Sequence, residues 1–148
     1  MAVTRVNGIE FYERQLSRMD RGMIRKIVEA GATAAEDWMR KQTQEKNHIR
    51  NSDMLDAIGR NEYRETYGGG SVDVYPQGID RKGVRNADKM YITNYGRGGV
   101  DKARAAKRRR RGGEMGDKFI TKNEKQAETL VHDAMQAESD RLMEELNK

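Results

Sequence analysis

Cysteine is absent from the sequence, which excludes disulfides, thiolate zinc sites and cysteine nucleophiles. Long apolar runs are missing as well. The longest are two or three residues, against the ~20 that a membrane-spanning helix needs, and no membrane partner is expected. The first fifteen residues carry Arg5, Glu10, Glu13 and Arg14 and hold no apolar stretch of the kind a secretory leader requires. The chain is therefore expected to be soluble and intracellular when made. Histidine occurs only at His48 and His132, far apart in sequence and with no metal-ligand neighbour three or four positions on. Neither HExxH nor a phosphate-loop GxxxxGK[ST] is found, and the adjacent acids Glu36-Asp37 and Glu144-Glu145 diverge on a helix. No nucleophile, base and orienting group are brought together by spacing, so the expected function is not catalytic and no cofactor or metal is expected.

Charge is what the sequence has in excess. Asp, Glu, Lys and Arg make up 36% of the residues, where an average globular domain has about 25%, so much of the chain must face water or a partner. At 148 residues there is enough chain for one domain with one modest core. The net charge of +5 suits a polyanionic neighbour, and the charge is segregated along the chain. Twelve Lys or Arg lie between Arg81 and Arg111, opposed only by Asp88 and Asp101. From Asn123 onward, seven Asp or Glu face only Lys125, Arg141 and Lys148. Such an asymmetry suggests that surfaces of opposite sign meet, within one subunit or between neighbours.

Periodicity predicts a single α+β domain spanning residues 1–148. A long amphipathic helix is expected over 9–46, where Leu16, Met19, Met23, Ile27, Gly31, Ala34 and Trp38 recur at helical spacing, with a kink or break near Asp20 to Gly22. Its small residues permit close approach of a sheet or a second helix. The expectation is that this helix packs across a small antiparallel sheet through Ala30, Gly31, Ala34 and Trp38. A short helix over 53–59, capped by Asn51 or Ser52 and stopped by Gly59, should follow. The period then becomes two over 61–95. Gly68 to Gly70 suit a hairpin, Pro76-Gln77-Gly78 a turn, and Lys89 to Tyr95 a third strand. Residues 96–116 read as a glycine-rich basic loop with almost no apolar content. A C-terminal helix over 122–146 closes the chain, with Thr121 and Glu124 as a capping box.

The basic loop carries the strongest motif with a mechanism. Lys102, Arg104, Lys107 and the run Arg108, Arg109, Arg110, Arg111 form an anion-seeking element, because guanidinium binds phosphate or carboxylate bidentately and never loses its charge. These seven residues are the candidate contacts to nucleic acid or to an acidic protein surface; a solvated loop is the plainer alternative. Tyr63, Tyr67, Tyr75, Tyr91 and Tyr95 read either as a base-stacking platform or, more simply, as one face of the sheet.

Several stretches, taken in order, resemble the tail-completion (neck) family of long-tailed bacteriophages. These are NGIEFYERQL, IRKIVEAGATAAEDWMRKQ, HIRNSDMLDAI, YITNYG and GDKFITKNEKQAETL, which together span nearly the whole chain. HIRNSDMLDAI is similar to that family's Pro-x-Arg-Thr-Gly-x-Leu-x-x-Ser-Ile segment, with Asn51-Ser52 in place of Thr-Gly. GDKFITKNEKQAETL is similar to its Arg-Pro-Phe approach to the last helix, with Lys118-Phe119 lacking the proline. The resemblance implies a structural virion protein that completes the tail and helps join it to the head. Its implied partners are copies of itself in a hexameric ring, head-completion or connector proteins, tail-terminator or tail-tube proteins, and double-stranded DNA in the channel. Its implied location is the virion neck, after assembly in the host cytoplasm. Independently of the resemblance, the arginine-rich loop alone is compatible with a small sequence-non-specific nucleic-acid-binding protein.

Overall fold

The computed structural model describes residues 19–45, 53–67, 69–96, 103–104, 106–107, 116 and 118–148. The fold is α+β: two long helices and two small antiparallel sheets. Helix α1 runs Arg21–Glu45. Asp20 starts it, its Oδ1 accepting the Met23 N–H at 2.8 Å, so the break expected near Asp20 to Gly22 is the beginning of this helix. The part of the expected helix before Met19 lies outside the described residues. Next come the single turn α2 (Asp53–Asp56), strands β1 (Ile58–Arg60), β2 (Arg64–Thr66), β3 (Gly69–Ser71) and β4 (Val74–Pro76), and helix α3 (Asn86–Tyr95). A 3-10 turn, Thr121–Asn123, leads into helix α4 (Glu124–Leu146).

The four strands form one folded-back arm. β1 pairs antiparallel with β4 (Ile58 opposite Pro76) and β2 with β3 (Arg64 opposite Ser71). Between the two ladders the outgoing side has three residues, 61–63, and the returning side two, 72–73. This mismatch is a bulge, and it shifts the register by one residue. Asn61 and Asp73 stitch it: the Asn61 N–H donates to the Asp73 carbonyl, while the Asp73 N–H donates to Asn61 Oδ1 at 2.7 Å.

α1 is buried on two faces, which accounts for its width of apolar positions. Toward the arm, Arg40 Nη2 donates to the Ile58 carbonyl at 2.8 Å, and Arg60 Nη1 reaches Thr33 Oγ1 at 2.7 Å. On the nearly opposite side of the helix from Thr33 and Arg40, Gly31 faces α4. A Cβ at Gly31 would lie 2.7 Å from Met135 Cγ and 3.2 Å from Val131 Cγ1. Further along, Asn123 Nδ2 donates to Gln42 Oε1 at 2.7 Å, so α1 and α4 run antiparallel, Gly31 to Gln42 spanning ~16 Å at 1.5 Å per residue. The close approach at Gly31 is thus made by a helix and not by the sheet. Trp38, two turns on along the same face, is buried, while Ala30 and Ala34 at its flank are half-buried. Apolar spacing marks a face as buried without naming what covers it, and here two coverings share one helix.

Phe119, Ile58, Met54 and Met90 form the core beneath the arm, joined by Met39, Leu55, Val74 and Ile120. Other expectations need correction. Lys89 to Tyr95 belongs to helix α3 and not to a strand. Its buried positions are Asn86, Met90 and Asn94, a four-residue spacing hidden because two of the three are polar. The short helix ends at Asp56 instead of Gly59, which sits in β1 opposite Tyr75. Thr121 lies in the 3-10 turn and caps nothing; its Oγ1 accepts from Asn94 Nδ2 at 2.8 Å, and Asn123 occupies the N-cap position of α4. No helix among the described residues is long and apolar enough to cross a membrane.

Candidate interaction surfaces

The expected basic loop departs from the fold and returns to it at one point. Gly96 ends α3 with φ 79°, a left-handed value that glycine adopts without steric cost, and its N–H donates to the Ile92 carbonyl at 2.6 Å. Gly116 lies directly on this helix end. A Cβ there would overlap the Tyr95 carbonyl carbon, the Asn94 oxygen and the Gly96 nitrogen, so only glycine lets the returning backbone come this close. Asn94, 3% exposed, fastens the returning strand of chain. Its carbonyl accepts the Lys118 N–H at 2.9 Å, and its Oδ1 accepts the Ile120 N–H at 3.0 Å. Residues 97–115 are therefore an excursion with pinned ends. They carry eight Lys or Arg and two acids of the chain's 29 and 24, which leaves 21 basic and 22 acidic residues for everything else. The positive net charge of the protein thus resides in this excursion.

Of the candidate contacts within it, Arg104 and Lys107 are exposed, while Lys102 and Arg108 to Arg111 lie outside the described residues. Ala103, Arg104, Ala106 and Lys107 are helical, which corrects the expectation of a loop. Alanine, arginine and lysine are strong helix formers, and propensity can produce a turn where no apolar face exists to bury.

A second basic element was not singled out from the sequence. The Ile79 to Arg85 bridge closes a tight tip between β4 and α3. Asp80 organises it from within: Oδ1 accepts the N–H groups of Lys82 and Val84, both at 2.8 Å, and Oδ2 pairs with Lys89 Nζ at 2.6 Å. The Lys89 hydrogen bond, followed by the Val84 N–H, lowers the Asp80 carboxyl to about 2. With Asp80 neutralised by Lys89, the exposed Arg81, Lys82 and Arg85 side chains make no ion pair or hydrogen bond among the described residues. The signal that could have found this tip is D-R-K-G-V, an Asp two residues before a Lys-Gly pair, which is an Asx-turn pattern.

The acidic counterpart is α4. At one edge of its exposed side Arg141 is held by Glu138, at 2.6 Å, and by Glu145. These contacts hold the Glu138 carboxyl below its ordinary value and the Arg141 guanidinium above. Its outer side has Asp133, Asp140 and Glu144, none of which pairs with Lys or Arg among the described residues; Asp133 has His132 at 3.8 Å, and Asp140 accepts from Gln136.

The tyrosines share no sheet face. Tyr91 and Tyr95 lie one turn apart on α3 with ring centroids 4.8 Å apart, Tyr75 is in β4, and Tyr63 sits in the bulge. Tyr63 instead lines a groove of ~690 Å³ at the tip of the arm together with Ile24, Tyr67 and the Arg21–Glu65 ion pair, with Arg25 5.8 Å from its ring. His132 is exposed and His48 lies outside the described residues. No group of three or more potential metal ligands occurs among the described residues. Comparison with protein-family models, with curated proteins and with solved structures finds no match to this chain.

Proposed function

We propose that this chain is a non-enzymatic joining subunit, working as one of several identical copies at the neck of a phage virion, as the tail-completion proteins it resembles do. The observation that supports this best is the separation of charge on one small fold. A near-neutral body with an acidic helix carries its excess of positive charge on a pinned excursion of residues 97–115. Such a body has complementary surfaces to offer to its copies and to neighbouring proteins, which is what a ring component requires. The proposed neighbours are connector or head-completion proteins on one side and tail-terminator or tail-tube proteins on the other. The test is imaging of purified particles. Copies ringed around the DNA path at the head–tail junction are expected, and their absence there refutes the reading.

The segment itself favours a second reading, a sequence-non-specific nucleic-acid binder, because eight Lys or Arg are concentrated within residues 97–115, apart in sequence from the acidic residues of α4. Under that reading, affinity for duplex DNA falls with salt at a slope of about −0.9 per phosphate contact and is lost on replacing Arg108 to Arg111 with alanine. Under the joining reading the same replacement blocks head–tail assembly.

A further inference from the structure

From the geometry of the 79–85 tip and the outer face of α4 we infer a contact between copies: the tip of one copy docks on the acidic outer face of α4 of the next. The inference rests on the reading of the chain as a self-associating subunit and names the surfaces by which it associates.

The tip is a built element. In seven residues it has a β-bridge at its base, the Asp80 N–H bonded to the Val84 carbonyl at 2.8 Å, and a left-handed Gly83. The three hydrogen-bonded or paired positions around Asp80 hold its shape before any partner arrives, which lowers the ordering cost of binding. It presents Arg81, Lys82 and Arg85 outward beside two apolar side chains, Ile79 (67% exposed) and Val84 (43% exposed). Cations flanking exposed aliphatic groups call for a surface that is acidic and apolar at once.

The outer stripe of α4 is such a surface. Val131, Met135 and Leu142 define its inner face against α1. At helical spacing the opposite stripe is Leu130, Asp133, Ala137, Asp140 and Glu144, ~21 Å long at 1.5 Å per residue. Leu130 is 43% exposed, Ala137 leaves the middle of the stripe low, and the cation at its edge, Arg141, is already paired with Glu138 and Glu145. Leu130 and Ala137 can receive Ile79 and Val84 while the three carboxylates face Arg81, Lys82 and Arg85. Each copy has one tip and one stripe, so the contact is head-to-tail and propagates; it closes into a ring when the rotation per copy permits.

The experiment uses the full chain in sedimentation velocity at rising concentration, in low and high salt. One variant reverses the tip (R81E, K82E, R85E) and another reverses the stripe (D133K, D140K, E144K). The wild-type chain is expected to associate in low salt and to dissociate in high salt. Each reversed protein alone should associate at least ~10-fold more weakly, since like charges then oppose each other. Mixing the two reversed proteins should restore association, because a Glu tip meets a Lys stripe and the native tip meets the native stripe. A misfolded variant cannot produce that rescue, so the mixture separates lost contact from lost structure. A wild-type chain that stays monomeric in low salt, reversed proteins that associate like wild type, or a mixture that fails to regain association would each overturn the contact. So would a tip reversal that abolishes DNA binding and leaves association untouched. Particles retaining copies at the neck with the tip reversed would overturn this contact and leave the joining function standing; particles lacking the wild-type chain would overturn that function instead.

Discussion

Replacing Gly31 probes the helix pair on which the fold depends. Alanine there has two opposed effects. Glycine in a helix interior is less favourable than alanine by about 0.8–1.0 kcal/mol, which favours the variant. Against this, the new Cβ would stand 2.7 Å from Met135 Cγ and 3.0 Å from its Sδ, inside van der Waals contact. Met135 Cγ lies close to the α4 backbone, so a change of rotamer relieves only part of the overlap and the helices must also part slightly. Overpacking of this kind costs roughly 1–3 kcal/mol, so Gly31→Ala should range from neutral to about 2 kcal/mol destabilising. Gly31→Leu adds three more carbons to the same gap and should cost about 3 kcal/mol, a fall in Tm of roughly 6–12 °C for a chain of this size. Urea denaturation followed by circular dichroism measures both. Pairing Gly31→Ala with Met135→Ala should recover about 1 kcal/mol relative to the sum of the single changes, because the clash disappears with its partner. The same enlargement at the half-buried flank, Ala34→Leu, should cost under about 1 kcal/mol. A Gly31→Leu protein as stable as wild type, or a double variant with no recovery, would refute the packing of α1 against α4.

Excising residues 97–115 and joining Gly96 to Gly116 through two glycines should preserve the fold. It shortens a closed loop about tenfold and lowers its closure cost by about 2 kcal/mol, so an unchanged or raised Tm is expected, and unfolding on excision would show that the segment supports the core. Asn94→Ala should destabilise by about 1–3 kcal/mol, because the half-buried Ile120 N–H loses its acceptor and Thr121 its donor; equal denaturation midpoints would contradict this. Asp80 has a folded value of about 2, below its ordinary 3.8, so the stability it lends is present above ~4 and fades as pH falls toward ~2. Acid titration of Asp80→Asn against wild type should show the difference at neutral pH vanish over that window, and a constant difference would argue against the Lys89 pair.

Some of this architecture was already written in local sequence. The two long helices follow from apolar spacing and a lack of proline, and the reversal near Gly68 to Gly70 from glycine between alternating runs. These features depend on a few neighbours in the chain, and their boundaries hold to within a few residues where they can be compared. Charge segregation is likewise a property of composition. Contacts between distant residues were the tertiary structure's to decide. Lys89 to Tyr95 alternates like a strand yet is helical, because the buried Asn86 finds a partner in Gln77 and the buried Asn94 finds partners in Ile120 and Thr121, far along the chain. Gly31 was legible as a site of close approach, but whether a sheet or a helix fills it depends on where residues a hundred positions later come to lie. The rigid tip around Asp80 was missed for the same reason: its outward cations become conspicuous only once Lys89, one turn into α3, has neutralised the single carboxylate within it. Local propensity sets which elements form; burial and the pairing of polar groups across the fold set which of their faces remain free to bind.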